Sequence, residues 1–459
     1  MPAECSARLM RFARVKSRDL VANFDGGRIS SEGGALLLGA ADRAIGLLDR
    51  LAACFNDGRA PGRVVHDLRT LLGQRIFGIA LGYEDVVDHD ELRHDPVLGP
   101  VLGCLEGKQT GCAPLAGKST LNRLEHAPSS SSRYHRIGYD GADIDRLFVD
   151  LFIEAHTKPP KQIVLDLDAT DDPLHGHQEG RFFHGYYDCH CYLPLYIFCG
   201  EHLLLARLRR SNIDASAGAV EEVERIVGQI RHHWPKTQII LRADSGFARD
   251  ELMNFCEQNQ VDYVFGLARN ERLVDHIHID MAWAEEEAQT TGKPTRRFAD
   301  FRWITRKSWS RKRRVVAKAE HLPKGSNPRF AVTSLKTKNW PAKALYEDLY
   351  CARGDMENRI KECQLDLFAD RTSAATMMAN QLRLWFASFA YVLITALRRI
   401  GLKHTQLERA TPATIRLKIL KIGAQIKVSC RRILVQMASA CPWQNEFELA
   451  QSRLSRAAA

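Results

Sequence analysis

Polar and apolar positions divide the chain into a helical front, an alternating middle, a basic stretch of short strands and a helical end. After Gly33-Gly34, ALLLGAADRAIGLLDRLAACF repeats its apolar residues at helical spacing, and VVHDLRTLLGQRIFGIALG does the same up to Gly82. KSTLNRLEH, residues 118–126, predicts a short polar helix with Leu121 and Leu124 turned inward. Such a helix suits a DNA groove, and it suits the surface of a helical bundle equally well. Residues 1–150 therefore read as mainly helical.

The period then changes. QIVLDLD (residues 162–168) predicts a strand, and residues 186–198 and 202–209 predict two more. AGAVEEVERIVGQIRHHW is an amphipathic helix, TQIILRAD a strand ending at Asp244, FARDELMNFCEQNQ a helix and VDYVFGL a strand. The order β-β-β-α-β-α-β is that of an α/β, ribonuclease-H-like core with a mixed sheet. Its first part covers 151–270, and a β-rich insertion at 271–345 interrupts it, with short alternating runs such as FRWITRKSW and RRVVAKAEH. Residues 346–400 return to the core with a helix carrying Glu357, and 401–459 form a basic helical end. The longest apolar run, Leu384 to Leu397, is short for a membrane span and reads as a buried helix, so no membrane partner is expected.

Charge narrows the class. The net charge is +10 and the pI about 9.0, which fits a polyanionic partner such as nucleic acid. Between 296 and 338 there are fourteen Lys or Arg against Asp300 and Glu320, and residues 398–432 carry ten against one Glu. The twelve cysteines show no CxxC spacing, and the basic start lacks a long apolar core, so reduced thiols in a cytoplasmic protein are expected.

Four acids are candidates for chemistry. In IVLDLDATDD, strand alternation puts Asp166 and Asp168 on one face. Two carboxylates on an apolar strand are costly unless they hold metal or lie on a solvated edge. Asp244 ends a strong strand before Ser245-Gly246, where a carboxylate faces a ligand crevice or caps a helix. Tyr350, Arg353, Glu357 and Lys361 are spaced by three, four and four, which aligns them along one helix stripe. A phenol, a guanidinium and an ammonium thus frame one acid and suit phosphates, although a solvated salt-bridged face has the same pattern.

Two further patterns are set aside. Gly111 to Ser119 imitates a phosphate-binding loop but has the wrong spacing, contains Pro114 and follows no strand. His175, His177, His184 and His190 with Cys189 and Cys191 lack zinc-finger spacing.

On LDLDATDDPLHGHQEGRFFHGYYDCHCYLPLYIFCG, SNIDASAG, RADSGFARDELM and YCARGDMENRIKE, the chain resembles the DDE transposases of bacterial insertion sequences. Within the group sharing a Tyr-Arg-Glu-Lys signature it is most similar to the insertion-sequence family numbered 1380. The resemblance implies a β-rich insertion between the second and third acids and an N-terminal region that binds transposon ends. It implies Asp168, Asp244 and Glu357 as catalytic metal ligands, with Asp168 preferred for its following Ala169-Thr170 and Asp166 as the rival. The signature Lys usually stands seven positions after the Glu. Here Gln364 occupies that place, and Lys361 is the nearest substitute.

The expected cofactor is a pair of Mg²⁺ ions about 4 Å apart, with Mn²⁺ as a substitute. The expected partners are double-stranded DNA, as terminal inverted repeats and target, and a second copy of the chain on that DNA. Arg311, Lys312, Arg313 and Arg314 are expected to meet DNA phosphates, and Trp309 or Trp303 to stack on a flipped base. Two other functions remain open at this point: a catalytically silent DNA-binding derivative, and a ribonuclease-H-like nuclease without strand transfer.

Overall fold

The computed structural model describes residues 9–105 and 112–459, so Gly111 of the loop that imitates a phosphate cradle lies outside it. The chain divides into two compact units, one from 1–53, 57–124 and 393–459, the other from 54–56 and 125–392.

The first unit is mainly helical. The long periodic run after Gly34 forms two helices, Ala35–Ile45 and Leu47–Ala53. They part at Gly46, whose φ of 60° ends the first in a left-handed turn. Helix Leu68–Leu81 starts where the Asp67 side chain accepts from the Thr70 N–H, and it stops at Gly82 with φ 95°. Helix Lys118–Glu125 buries Leu121 and Leu124 as their spacing predicts. The C-terminal region departs from the helical expectation. Ala424–Ser429 and Arg432–Met437 form a hairpin, whose strand Ala424–Ser429 also pairs with Ile29–Ser30. Period-two alternation through Ala424 and Ile426, both buried, overrides the surrounding helical pattern.

The second unit is built on a mixed sheet. Its main strands are β1 (Gln162–Ala169), β2 (Leu195–Cys199), β3 (His202–Arg207), β4 (Gln238–Ala243), β5 (Asp262–Leu267), β6 (Thr295–Trp303), β7 (Arg313–Leu322) and β8 (Arg329–Thr333). They lie in the order β3-β2-β1-β4-β5-β8-β7-β6, and a two-residue strand, Gly325–Ser326, pairs with β7. β1, β4 and β5 run parallel, and every other neighbouring pair is antiparallel. β1 is therefore central, which removes the solvated edge as an explanation for its acids. Leu165, Leu167, Ile239 and Leu241 are fully buried beside helices α1 (Gly141–Glu154), α2 (Ala219–His233) and α3 (Asp250–Gln258). Each such side chain contributes about 1.5–3 kcal/mol of burial.

Two segments differ from the sequence expectation. Residues 186–198 are not one strand. Cys189–Tyr192 is separated from β2 by Leu193-Pro194, because proline has no N–H to continue a ladder. Residues 271–345 open with two helices, Glu271–His276 and His278–Thr291, before any strand. The strands that follow join the same sheet, since β8 pairs directly with β5. The apolar run at 384–397 lies in helix Met377–Ala396 and is mostly buried. It is the one helix among the described residues long and apolar enough to cross a membrane.

Candidate active site

β1 and β4 are in parallel register, with Arg242 beside Asp166 and Ala243 beside Leu167. One residue further, Asp168 and Asp244 leave the carboxyl ends of neighbouring strands, the usual mouth of an open α/β sheet. Both acids line a cavity of about 540 Å³ with Arg353, Glu357, Lys361 and Gln364.

Asp244 both caps a turn and borders the cavity. Its Oδ1 accepts from the Gly246 N–H at 2.8 Å and caps the turn Ser245–Phe247, while the side chain borders the cavity. Arg353 stands between the other two acids. Its Nη1 lies 3.3 Å from Asp168 Oδ2 and its Nη2 2.8 Å from Glu357 Oε1. Burial pushes the Asp168 carboxyl up to about 7, Arg353 opposes the rise, and the Asp244 and Glu357 carboxylates add to it.

The segment carrying Glu357 is less regular than its spacing predicts. A wide turn at Leu345–Tyr350 and a tight one at Cys351–Arg353 precede the α-helix Gly354–Lys361. Arg353, Glu357 and Lys361 still share the face toward the cavity, but Tyr350 does not border it. The Tyr350 hydroxyl instead packs over Gly266 of β5. A Cβ there would come within 2.5 Å of that hydroxyl and 3.0 Å of the Ser245 nitrogen. Gly266 thus lets the sheet approach the turn that holds Asp244.

Asp166 is corrected. It shares a strand face with Asp168 but does not line the cavity. Arg242 takes both its oxygens, at 2.5 Å and 2.8 Å, and donates a further bond to the Leu349 carbonyl at 2.6 Å. Both residues are buried. Asp166 therefore serves as the counterion of a buried arginine.

Arg313 and Arg314 are corrected as well. Arg313 is 2% exposed and binds Asp250 at 2.6 Å and Glu257 at 2.7 Å. Arg314 binds Asp300 at 2.7 Å and the Leu335 and Trp340 carbonyls. Both spend their donors inside the protein. Trp309 is buried, with Arg313 over its ring, and Trp303 is half-buried under Arg272, so neither ring is open for a base. Arg311 and Lys312 are exposed.

Sequence reasoning missed three features. Arg242 was legible as an isolated charge inside IILRA, on a strand next to one bearing an acid. Gly266 was legible as a glycine inside a strand. Gln364 stands out in the sequence only as a departure from the signature, yet it joins the Glu357 segment to the residues just after β1 through the Asp172 carboxyl at 2.8 Å and the Asp171 carbonyl at 3.1 Å.

Asp172 is fully buried, and burial pushes its carboxyl up to about 8, against the lowering effect of Gln364. A raised acid is most favourable to folding below its unfolded value and loses that contribution as pH climbs through the folded one. Asp172→Asn should therefore match wild type near pH 4 and unfold at higher urea than wild type at pH 8.5. Parallel urea curves across that range check it, and equal midpoints at pH 8.5 would reject the buried-acid account.

Among the described residues no three His, Cys, Asp or Glu side chains stand close enough as placed to enclose a metal. The donor chemistry nonetheless suits a hard cation. Three carboxylates border one cavity, and a guanidinium supplies the positive charge that two of them need. Residues 12–459 match the family model described as transposase DDE domain group 1. No curated protein matches the chain.

Proposed function

The chain belongs to the transposase DDE domain group 1 family, and on that premise we propose that it moves DNA by cut-and-paste. It would cut strands at transposon ends and pass the freed 3′-hydroxyl into target DNA. The observation that carries this reading is the meeting of Asp168, Asp244 and Glu357 at one cavity that also holds Arg353 and Lys361. The strand order β3-β2-β1-β4-β5, with α2 and α3 in the crossovers, supports a ribonuclease-H-like core, with β6 to β8 as its β-rich extension. The resemblance to the insertion-sequence family numbered 1380 belongs to the same proposal.

Asp168, Asp244 and Glu357 would hold divalent metal, with Mg²⁺ favoured by their hard oxygens. Bound there, the metal supplies Lewis acidity and an activated water. The chain's own groups do the rest. Arg353, held between Asp168 and Glu357, has a fork that would suit two oxygens of the scissile phosphate. Lys361 adds charge on the same side. Asp244 stays aimed because its second task, capping the following turn, fixes its rotamer. Gln364 ties the Glu357 segment to Asp171 and Asp172, just after β1.

A labelled transposon end with target plasmid and Mg²⁺ tests this. Joined product supports transposition, cleavage alone marks a nuclease, and binding alone marks a silent derivative. A second copy of the chain on DNA is expected, because two ends must be joined.

DNA affinity should fall steeply with salt. Substituting Arg311 or Lys312 by Ala should weaken binding to all sequences and reduce the logarithmic salt slope by about one each. Arg313→Ala should instead lower the thermal midpoint, costing about 1–3 kcal/mol, with the salt slope unchanged. Fluorescence anisotropy over a salt series, beside thermal melts, separates the two. A reduced salt slope for the Arg313 variant would return that residue to the DNA surface.

A further inference from the structure

Leu193 and Ala215 border the cavity with the three acids, and neither belongs to a strand or helix. Leu193 stands at the break before β2, and Ala215 lies in the loop that joins β3 to α2. One residue fixes both. Arg209 Nε donates to the Leu193 carbonyl at 2.9 Å, and its Nη1 donates to the Ala215 carbonyl at 3.1 Å and the Ala217 carbonyl at 2.6 Å. The Leu193 N–H donates back to the Arg209 carbonyl at 2.9 Å. This is a costly way to hold a loop. Arg209 is 8% exposed, its acceptors are carbonyls, and its Nη2 is buried with no acceptor in reach among the described residues. Burial pulls the guanidinium down to about 10, and Asp214 opposes the fall. The buried Arg242 and Arg313, by contrast, each meet a carboxylate. An apolar side chain would fill the place of Arg209 at less cost. It would lack the planar fork that fixes several carbonyls at once.

The loop bears on Asp244. A Cβ on Gly246 would come within 3.1 Å of the Ala215 Cβ and 3.0 Å of Asp244 Oδ1, so the Ala215 methyl closes over the turn that Asp244 caps. The donor of that cap is the Gly246 N–H itself. At the surface Asp214 meets Arg249 at 2.8 Å and ties the same two segments a second time. That pair is half-exposed and adds little. The line of support therefore runs from the Arg209 fork to the Ala215 methyl, to Gly246 and to the Asp244 carboxylate. A loop that drifts would leave Gly246 room to move, and the carboxylate would lose its direction.

We infer that Arg209 is a positioning residue for the metal at the three acids, acting through Ala215 and Gly246 on Asp244. This rests on the transposase reading. The probe is Mn²⁺ alone, titrated into full-length protein and followed by electron paramagnetic resonance. Thermal melts, and cleavage of a labelled transposon end over a Mg²⁺ series, accompany it. Asp244→Asn marks the site, since the Mn²⁺ it removes is the Mn²⁺ at the three acids. Arg209→Lys keeps the charge and loses the fork, and Ala215→Gly removes the methyl alone. Each should weaken that Mn²⁺ by about tenfold or more, the usual loss when the support of a metal ligand is removed. Each should also regain the wild-type cleavage rate at saturating Mg²⁺, whereas a protein that is merely less stable stays slow at every Mg²⁺ concentration. Unchanged Mn²⁺ affinity in either variant, or cleavage that saturating Mg²⁺ does not restore, overturns the inference and leaves the transposase reading intact. Should Arg209→Lys fail to fold, Ala215→Gly decides alone. If wild type binds no Mn²⁺ that Asp244→Asn removes, the metal site of the transposase reading falls and the inference with it.

Discussion

Asp244→Asn is expected to abolish strand cleavage, by a factor on the order of 10³ or more, and to leave both fold and DNA binding in place. The chemical half follows from the charge. A bound metal contributes several kcal/mol to the transition state, and each 1.36 kcal/mol is tenfold in rate, so losing one of its anionic ligands is severe. The structural half follows from the cap. Asp244 Oδ1 accepts from the Gly246 N–H, and the asparagine amide oxygen can accept the same bond. Asparagine caps helical turns as well as aspartate does. The turn at Ser245–Phe247 should therefore survive, and with it the position of Phe247, which is fully buried in the core. Cleavage of a labelled end, a binding titration and a melt on the same preparation make the check. Retained cleavage at even a tenth of the wild-type rate would remove Asp244 from the metal site.

The second large effect concerns stability. Asp166→Ala is expected to cost about 3–5 kcal/mol, the usual penalty for leaving a buried charge without its partner. Arg242 cannot turn to solvent, since it is buried between strands and its third bond reaches the Leu349 carbonyl. The double variant Asp166→Leu with Arg242→Met should recover most of the loss, because it removes both charges at similar volume. Urea unfolding of the three proteins tests the coupling. The double variant also decides the chemistry. If Asp166 only neutralises Arg242, that protein should still cleave DNA with Mg²⁺. Restored stability with no cleavage would return Asp166 to the metal site.

Much of this was legible in the sequence. The order of strands and helices across 162–267 emerged from periodicity, because each element there buries a full face. Asp168, Asp244 and Glu357 were singled out by strand alternation, a strand end and a helix stripe together with the resemblance, and the structure brings all three to one cavity. What stayed hidden depended on neighbours in space. Alternation puts Asp166 and Asp168 on one face and cannot tell which one reaches the strand end and which meets Arg242. Charge counting marked Arg313 and Arg314 as DNA contacts, yet the acids that bind them, Asp250, Glu257 and Asp300, lie 14 to 63 residues away. The hairpin Ala424–Met437 was hidden by short strands inside a region of helical composition.

The pairing of β8 with β5 has a consequence for how the protein is made. All eight main strands end by Thr333, whereas Glu357 follows the last of them. A ribosome therefore delivers a chain able to complete the sheet before it delivers the third acid. Any product that stops between the two carries Asp168 and Asp244 at its strand ends and lacks Glu357. On the proposed reading, an incomplete chain would hold two acids of the three and would be unable to cut DNA.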